Sequence, residues 1–130
     1  MNIKIVLDFI SAINNRDIDK ILFLLSENHE FIDSQGNIVT GKNNMKYAWI
    51  CYFELFPDYK IDITEILENE LIIGLFGFAS GTYKNLINKG NSNYWKIPAS
   101  WKAIVKDDKI QLWQVYADNS LPLEIVNRNK

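Results

Sequence analysis

Apolar residues at Val6, Phe9, Ile10 and Ile13 recur at three- and four-residue intervals, which predicts a helix over 3–14. Asn14-Asn15-Arg16 breaks it. Asp17 then stands where an N-cap belongs, ahead of a second helix carrying Ile18, Ile21, Leu22 and Leu25. His29 to Asp33 reads as a short strand and Ser34-Gln35-Gly36-Asn37 as a turn. Thr40 is the expected cap of a third helix over 41–56, with Met45, Trp49, Tyr52, Phe53 and Phe56 on its apolar face, and Pro57 stops it.

After Pro57 the period changes to two. Tyr59 to Thr64 alternates, Glu68-Asn69-Glu70 turns, and Leu71 to Tyr83 forms a long strand. Gly74, Gly77 and Gly81 inside that strand point to bends or bulges. A polar loop over 85–93 follows, expected either to close over a pocket or to stay open. Tyr94–Lys106 and Lys109–Asp118 are the last strands, and Leu121 to Val126 is a helical turn or lid. Helices first, then a meander of long antiparallel strands, make an α+β fold with helices on one face of a bent sheet.

A two-residue hairpin loop at Asp107-Asp108 would pair Val105 with Ile110, Ala103 with Leu112 and Trp101 with Gln114. Period two then gathers Trp101, Ala103, Leu112, Gln114, Tyr116 and Asp118 on one face, suited to a pocket wall. The other face would hold Lys102, Ile104, Trp113 and Val115. That face predicts a homodimer through Trp113, Val115 and Ile104, which would otherwise be an uncovered apolar patch.

Composition narrows the classes. The chain has 130 residues, enough for a single domain over 1–130. It is 48% hydrophobic and 13% aromatic, so it buries a core rather than staying disordered. Its net charge of −2, with both signs interspersed, provides no basic stripe for nucleic acid. The lone Cys51 excludes an intrachain disulfide and is expected as a small buried hydrophobe. With a single histidine and no paired ligand spacing, no metal and no cofactor are expected. Asp8 interrupts the N-terminal apolar run and no run reaches the ~20 residues of a membrane span, so the expectation is a cytoplasmic protein without membrane partners.

The candidate chemistry lies in two carboxylates and an imidazole. Asp118 ends an apolar and aromatic strand, where burial would raise its pKa and make it a general acid/base. Asp33 closes the run His29-Glu30-Phe31-Ile32 and, with His29, is the expected relay or orienting group. Each has a plainer reading: Asp118 capping the turn at Asn119-Ser120, Asp33 in turn chemistry, His29 at the surface. Trp49, Tyr52 and Phe53 on the third helix, with Trp101, Gln114 and Tyr116, are the expected contacts to a small hydrophobic molecule.

Several segments, in this order and spacing, resemble the SnoaL-like group of the nuclear transport factor 2-like superfamily. They are Phe9 through Asp17, Phe31-Ile32-Asp33, Gly41 through Asp58, Gly81-Thr82-Tyr83 and Trp113 through Asp118. The resemblance spans nearly the whole chain. It implies a cone, nuclear transport factor 2-like or cystatin-like, in which a strongly curved antiparallel sheet wraps N-terminal helices.

The group contains polyketide ester cyclases, and Asp118 matches the strand-end aspartate that serves them as acid/base. Asp33 lies where ketosteroid isomerases of the superfamily keep a proton-abstracting aspartate. Phe9 falls where those isomerases place an oxyanion-binding tyrosine; it cannot donate that bond, and one such donor is worth ~3 kcal/mol of barrier lowering. The Asp-Arg-Asp set of the superfamily's epoxide hydrolases has no counterpart, since Arg16 and Arg128 fall in a turn and the tail. The resemblance implies a cofactor-independent cyclase or isomerase acting on a small apolar or aromatic molecule. The alternative is a ligand-binding or dimerisation module without catalysis.

Overall fold

The computed structural model describes residues 2–86 and 92–130. The core of the expected 85–93 loop, residues 87–91, lies outside the described residues. The chain begins with helices α1 (Asn2–Asn14) and α2 (Ile18–Leu24). Strands β1 (Leu25–Ile32) and β2 (Ile38–Thr40) lead to helix α3 (Lys42–Leu55). Strands β3 (Lys60–Glu68), β4 (Ile73–Thr82), β5 (Tyr94–Lys106) and β6 (Lys109–Ala117) follow, then helix α4 (Ser120–Arg128).

The local reasons are visible in the side chains. α1 buries Val6, Phe9, Ile10 and Ile13 and ends where Arg16 turns left-handed at φ 54°. The Asp17 carboxylate caps α2 by accepting from Lys20 N at 3.1 Å. The Asn14 amide donates to Ile61 O at 3.0 Å and accepts from Ile61 N at 2.8 Å, fastening α1 to β3 as a strand partner would. Gly41, not Thr40, precedes α3. It sits at φ 91°, a conformation glycine adopts without strain, while Thr40 is spent on β2. Cys51 is exposed: it lies on the far side of α3 from Met45, Trp49 and Tyr52.

The six strands form one mixed sheet in the order β2-β1-β6-β5-β4-β3. β3 to β6 are an antiparallel meander, whereas β1 runs parallel to β6. Three register shifts bend the sheet, and two of them govern the site. In β3 the shift falls between Ile63 and Glu65, opposite Gly77. A Cβ on Gly77 would lie 1.9 Å from Asp62 O, so only glycine admits this close approach.

The second shift is at the β5–β6 hairpin. Asp107 and Asp108 turn at φ 53° and 61°, and Val105 faces Ile110 as the turn requires. Gln111 then bulges, so Ile104 faces Leu112, Ala103 faces Trp113 and Trp101 faces Val115. One extra residue reverses the faces of the rest of β6. Trp113, Val115 and Ala117 therefore turn inward beside Trp101 and Ala103, and Leu112, Gln114 and Tyr116 turn outward. The expected interface patch of Trp113, Val115 and Ile104 is split: Ile104 stays on the outer face opposite Leu112, while Val115 and Trp113 turn inward, Trp113 being 1% exposed, packed edge-on to Phe9 at 4.9 Å and stacked on Trp101 at 6.3 Å.

Candidate functional site

Between α3, the inner sheet face and the start of α4 lies a cavity of about 290 Å³. α3 contributes Met45, Ala48, Trp49 and Tyr52, a face at i, i+3, i+4 and i+7. β5 contributes Trp95, Ile97 and Ala99, and β6 contributes Trp113, Val115 and Ala117. Tyr59 enters from the turn before β3, which is fixed by Asp58: its carboxylate accepts from Thr82 N at 2.6 Å and Thr82 Oγ1 at 2.7 Å. The small side chains Ala79, Ala99 and Ala117 leave the space that the aromatic rings frame.

The aromatic wall is continuous. Trp49 meets Phe31 at 6.4 Å and Tyr52 at 6.3 Å, and stacks on Phe53 at 5.4 Å. Tyr52 and Tyr59 meet edge to face at 4.8 Å, and Tyr59 lies 6.2 Å from Trp95. Burial pushes the Tyr52 phenol well above its usual range, and the neighbouring Tyr59 adds to the shift. Burial raises Tyr59 as well.

The mouth is polar. Asp33, Ser34, Gln35 and Asn119 line it, with Leu123 of α4 beside them. The Asp33 carboxylate accepts from Gln35 N and Asn37 N, each at 2.9 Å, and from the Asn37 amide at 3.1 Å. The Asn119 amide donates to Ser34 Oγ at 2.7 Å, joining the root of α4 to the β1–β2 turn. Among the described residues no three His, Cys, Asp or Glu side chains converge where a metal ion would sit.

The residues singled out from the sequence fall in several places. Trp49, Tyr52 and Asp33 line the cavity. Phe53 and Trp101 stand behind the wall, the first stacked on Trp49 and the second on Trp113. Gln114 and Tyr116 lie on the outer sheet face, with Tyr116 51% exposed.

Asp118 is outside the cavity. It is fully exposed and accepts from the backbone N of Ser120 at 3.0 Å and from the Ser120 hydroxyl. Those bonds, the hydroxyl first, lower its pKa rather than raise it. An inward Asp118 requires the unbulged register; the Gln111 bulge turns it out.

His29 is neither exposed nor in the cavity. It is 0% exposed, within the irregular stretch of β1 between Leu25 and Glu30, and its Nδ1–H donates to Ile110 O at 2.8 Å. Its Nε2 has no partner among the described residues. Desolvation lowers its pKa, opposed by the bond to Ile110 O.

Tyr59, Trp95 and Trp113 are among the cavity residues that sequence reasoning missed. The signal for Trp95 was the alternation Trp95, Ile97, Ala99, Trp101, Ala103, an inward row. For Tyr59 it was its position straight after Pro57-Asp58.

No family model matches the chain, and no curated protein matches it. Solved structures do. A hypothetical protein with a ketosteroid isomerase-like fold from Catenulispora acidiphila, in complex with trimethylamine, superposes with a TM-score of 0.82 at 14% identity, over 98% of this chain and 95% of that one. The chain has the nuclear transport factor 2-like fold. A candidate SnoaL-like polyketide cyclase from Shewanella denitrificans matches with a TM-score of 0.80 at 11% identity, over 98% and 97% of the two chains. A nuclear transport factor 2-like protein of unknown function from Burkholderia pseudomallei matches with a TM-score of 0.80 at 14% identity, over 96% of each. Among the described residues no helix is long and apolar enough to cross a membrane.

Proposed function

We propose that this nuclear transport factor 2-like chain binds one small, largely apolar, planar molecule in the aromatic cavity. The observation that carries the reading is the wall itself: indoles, phenols and alanines around about 290 Å³, with charge only at the mouth. Such a volume suits a fused two-ring molecule. Likeness to polyketide cyclases favours an aromatic or polyketide-type ligand over a charged one. An organic cation, such as the trimethylamine in the Catenulispora neighbour, would be drawn to the same rings. The one carboxylate among the lining residues, Asp33, is already held by three hydrogen bonds, so it offers such a cation little.

Catalysis by cofactor-independent proton transfer is the second reading, favoured by Asp33 at the mouth. Asp118 faces away from any molecule in the cavity. Titration of a panel of planar aromatics, followed by tryptophan fluorescence, tests the first reading, since Trp49, Trp95 and Trp113 surround the ligand. Binding that an Ala99→Phe substitution abolishes supports it; no binding across the panel overturns it. Turnover of a bound molecule that Asp33→Asn abolishes and Asp118→Asn leaves intact would establish the second.

A homodimer through the outer sheet face belongs to the same reading. Phe76, Phe78 and Tyr116 are 42%, 37% and 51% exposed on that face. Phe76 faces Ser100, which in turn faces Tyr116 across the next strand, so the exposed rings share one patch. Sedimentation equilibrium giving twice the 15.1 kDa chain mass, reduced to one by Phe76→Asp, supports it. A monomer at every concentration overturns it.

A further inference from the structure

His29 is the single histidine of the chain, and it does not line the cavity. It is fully buried, yet only half of its hydrogen bonding is satisfied. Nδ1–H donates to Ile110 O at 2.8 Å, which leaves Nε2 a bare lone pair with no partner among the described residues. The neutral ring can stay in such a place. An imidazolium cannot, because it brings a second N–H and a full charge to a site without an acceptor.

The surrounding elements supply no counter-charge. On β1 itself Glu27 and Glu30 are exposed, and Glu27 pairs with Lys42 of α3 at 3.5 Å. Asp19 and Lys20 of α2 are exposed. On α3, Lys46, Tyr47, Cys51 and Glu54 are exposed and Tyr52 belongs to the cavity wall. On β6, Lys109 donates to Phe23 O and Tyr116 is on the outer face, while β2 has no ionisable side chain. The one hydrogen bond of the imidazole is to a backbone carbonyl.

His29 also ties together the two elements that build the cavity. Ile110, its acceptor, precedes the Gln111 bulge, which turns Trp113, Val115 and Ala117 inward. The backbone O of His29 accepts from Gly41 N at 2.8 Å, where α3 begins. That helix supplies Met45, Ala48, Trp49 and Tyr52. The tie is local: no β1 residue between Leu25 and Glu30 has a register partner in β6, and Ser26 Oγ adds one bond of 3.3 Å to Ile110 O.

We propose that His29 is a pH-sensing positioning residue: when it takes up a proton, the junction of β1, β6 and α3 opens and the cavity loses its hold on the bound molecule. This rests on the binding reading above and adds regulation of that same site. The proton favours an opened junction, where the imidazolium reaches water, and the bound molecule favours the closed one. Each therefore weakens the binding of the other. Desolvation, which lowers the pKa of His29, acts in the same direction.

The test uses indane, which has no titratable group. It is titrated into the wild type, His29→Gln and His29→Asn at pH 7.5, 6.5 and 5.5, where ordinary carboxylates stay ionised. Near-ultraviolet circular dichroism checks the fold at each pH. Wild-type affinity is expected to fall at least about threefold across the range, and that of the variants to stay within about twofold. In parallel, the imidazole proton resonance of the wild type is followed against pH, with and without saturating indane. One histidine gives one curve, and bound indane is expected to move it to lower pH. A wild-type affinity that ignores pH would overturn the proposal. So would an equal decline in both variants, a histidine curve that indane leaves in place, or acid unfolding of the whole chain before affinity falls. In each of these cases binding at pH 7.5 preserves the cavity reading. No binding at pH 7.5 overturns that reading and the coupling with it. If neither variant folds, the histidine curve decides, since it needs no substitution.

Discussion

Ala103 lies opposite Trp113, one residue out of step with the Val105–Ile110 pair at the hairpin end of the same two strands. The difference is Gln111, the unmatched residue of the bulge. It brings an indole and Val115 into the interior and sends Tyr116 out. Deleting Gln111 is expected to cost more than about 4 kcal/mol, or to prevent folding, because it turns a fully buried tryptophan to the surface. Urea unfolding with a tryptophan emission spectrum checks this. A variant with native stability and blue-shifted emission would show that the bulge does not set the register.

The same residue marks where the sequence stopped being legible. Helix periods, the Asp17 cap, the Pro57 stop, the Asp107-Asp108 turn and the length of β5 could all be read locally, because each depends on residues next to one another. A bulge is not local. Gln111 bulges because the irregular stretch of β1 between Leu25 and Glu30 lies beside it, with Ser26 and His29 both donating to Ile110 O. That pairing joins residues more than 80 positions apart and is parallel, so no hairpin signal announces it. β1 itself was hidden because the polar Ser26-Glu27-Asn28 interrupts its alternation. Part of the candidate site followed: Trp49 and Tyr52 are on a helix face the period defines, whereas Trp113, Asp118 and Tyr116 depended on the bulge.

Gly77 separates close approach from mere flexibility. Gly77→Ala drives a Cβ against Asp62 O and should cost at least ~2 kcal/mol. Gly74→Ala meets only Phe76 at 3.9 Å and should change stability little. Thermal unfolding of the pair decides it; equal effects would mean the β3 shift does not need a glycine opposite.

His29 should make the fold acid-sensitive. Its folded pKa is depressed by burial, so the unfolded chain binds the proton more readily. The stability held by neutral His29 is complete above its unfolded pKa of 6.5 and is lost as pH falls below that value. It is the only histidine in the chain. Denaturant midpoints should therefore fall between pH 7 and 5 in the wild type and change less in a His29→Gln variant. Parallel profiles would show that the imidazole does not titrate on unfolding.

Tyr52 and Tyr59 should give the opposite sign at high pH. Their pKa values are raised in the folded state, so they support it below the unfolded value of 10.0, and that support is lost as pH rises past it. Tyr52 and Tyr59 should fail to ionise until the chain unfolds. Phenolate absorbance followed to high pH, with and without denaturant, in the wild type and in Tyr52→Phe and Tyr59→Phe variants, reads this. Ionisation of these two in the folded protein at the pH at which they ionise in denaturant would place them in open solvent.

The central claim is that the aromatic cavity takes a small apolar molecule, and titration of indane into the wild type and Ala99→Phe tests it most directly. Saturable binding by the wild type that disappears when the phenylalanine fills the space is the predicted result. Binding that is absent in the wild type, or unchanged in Ala99→Phe, would contradict it.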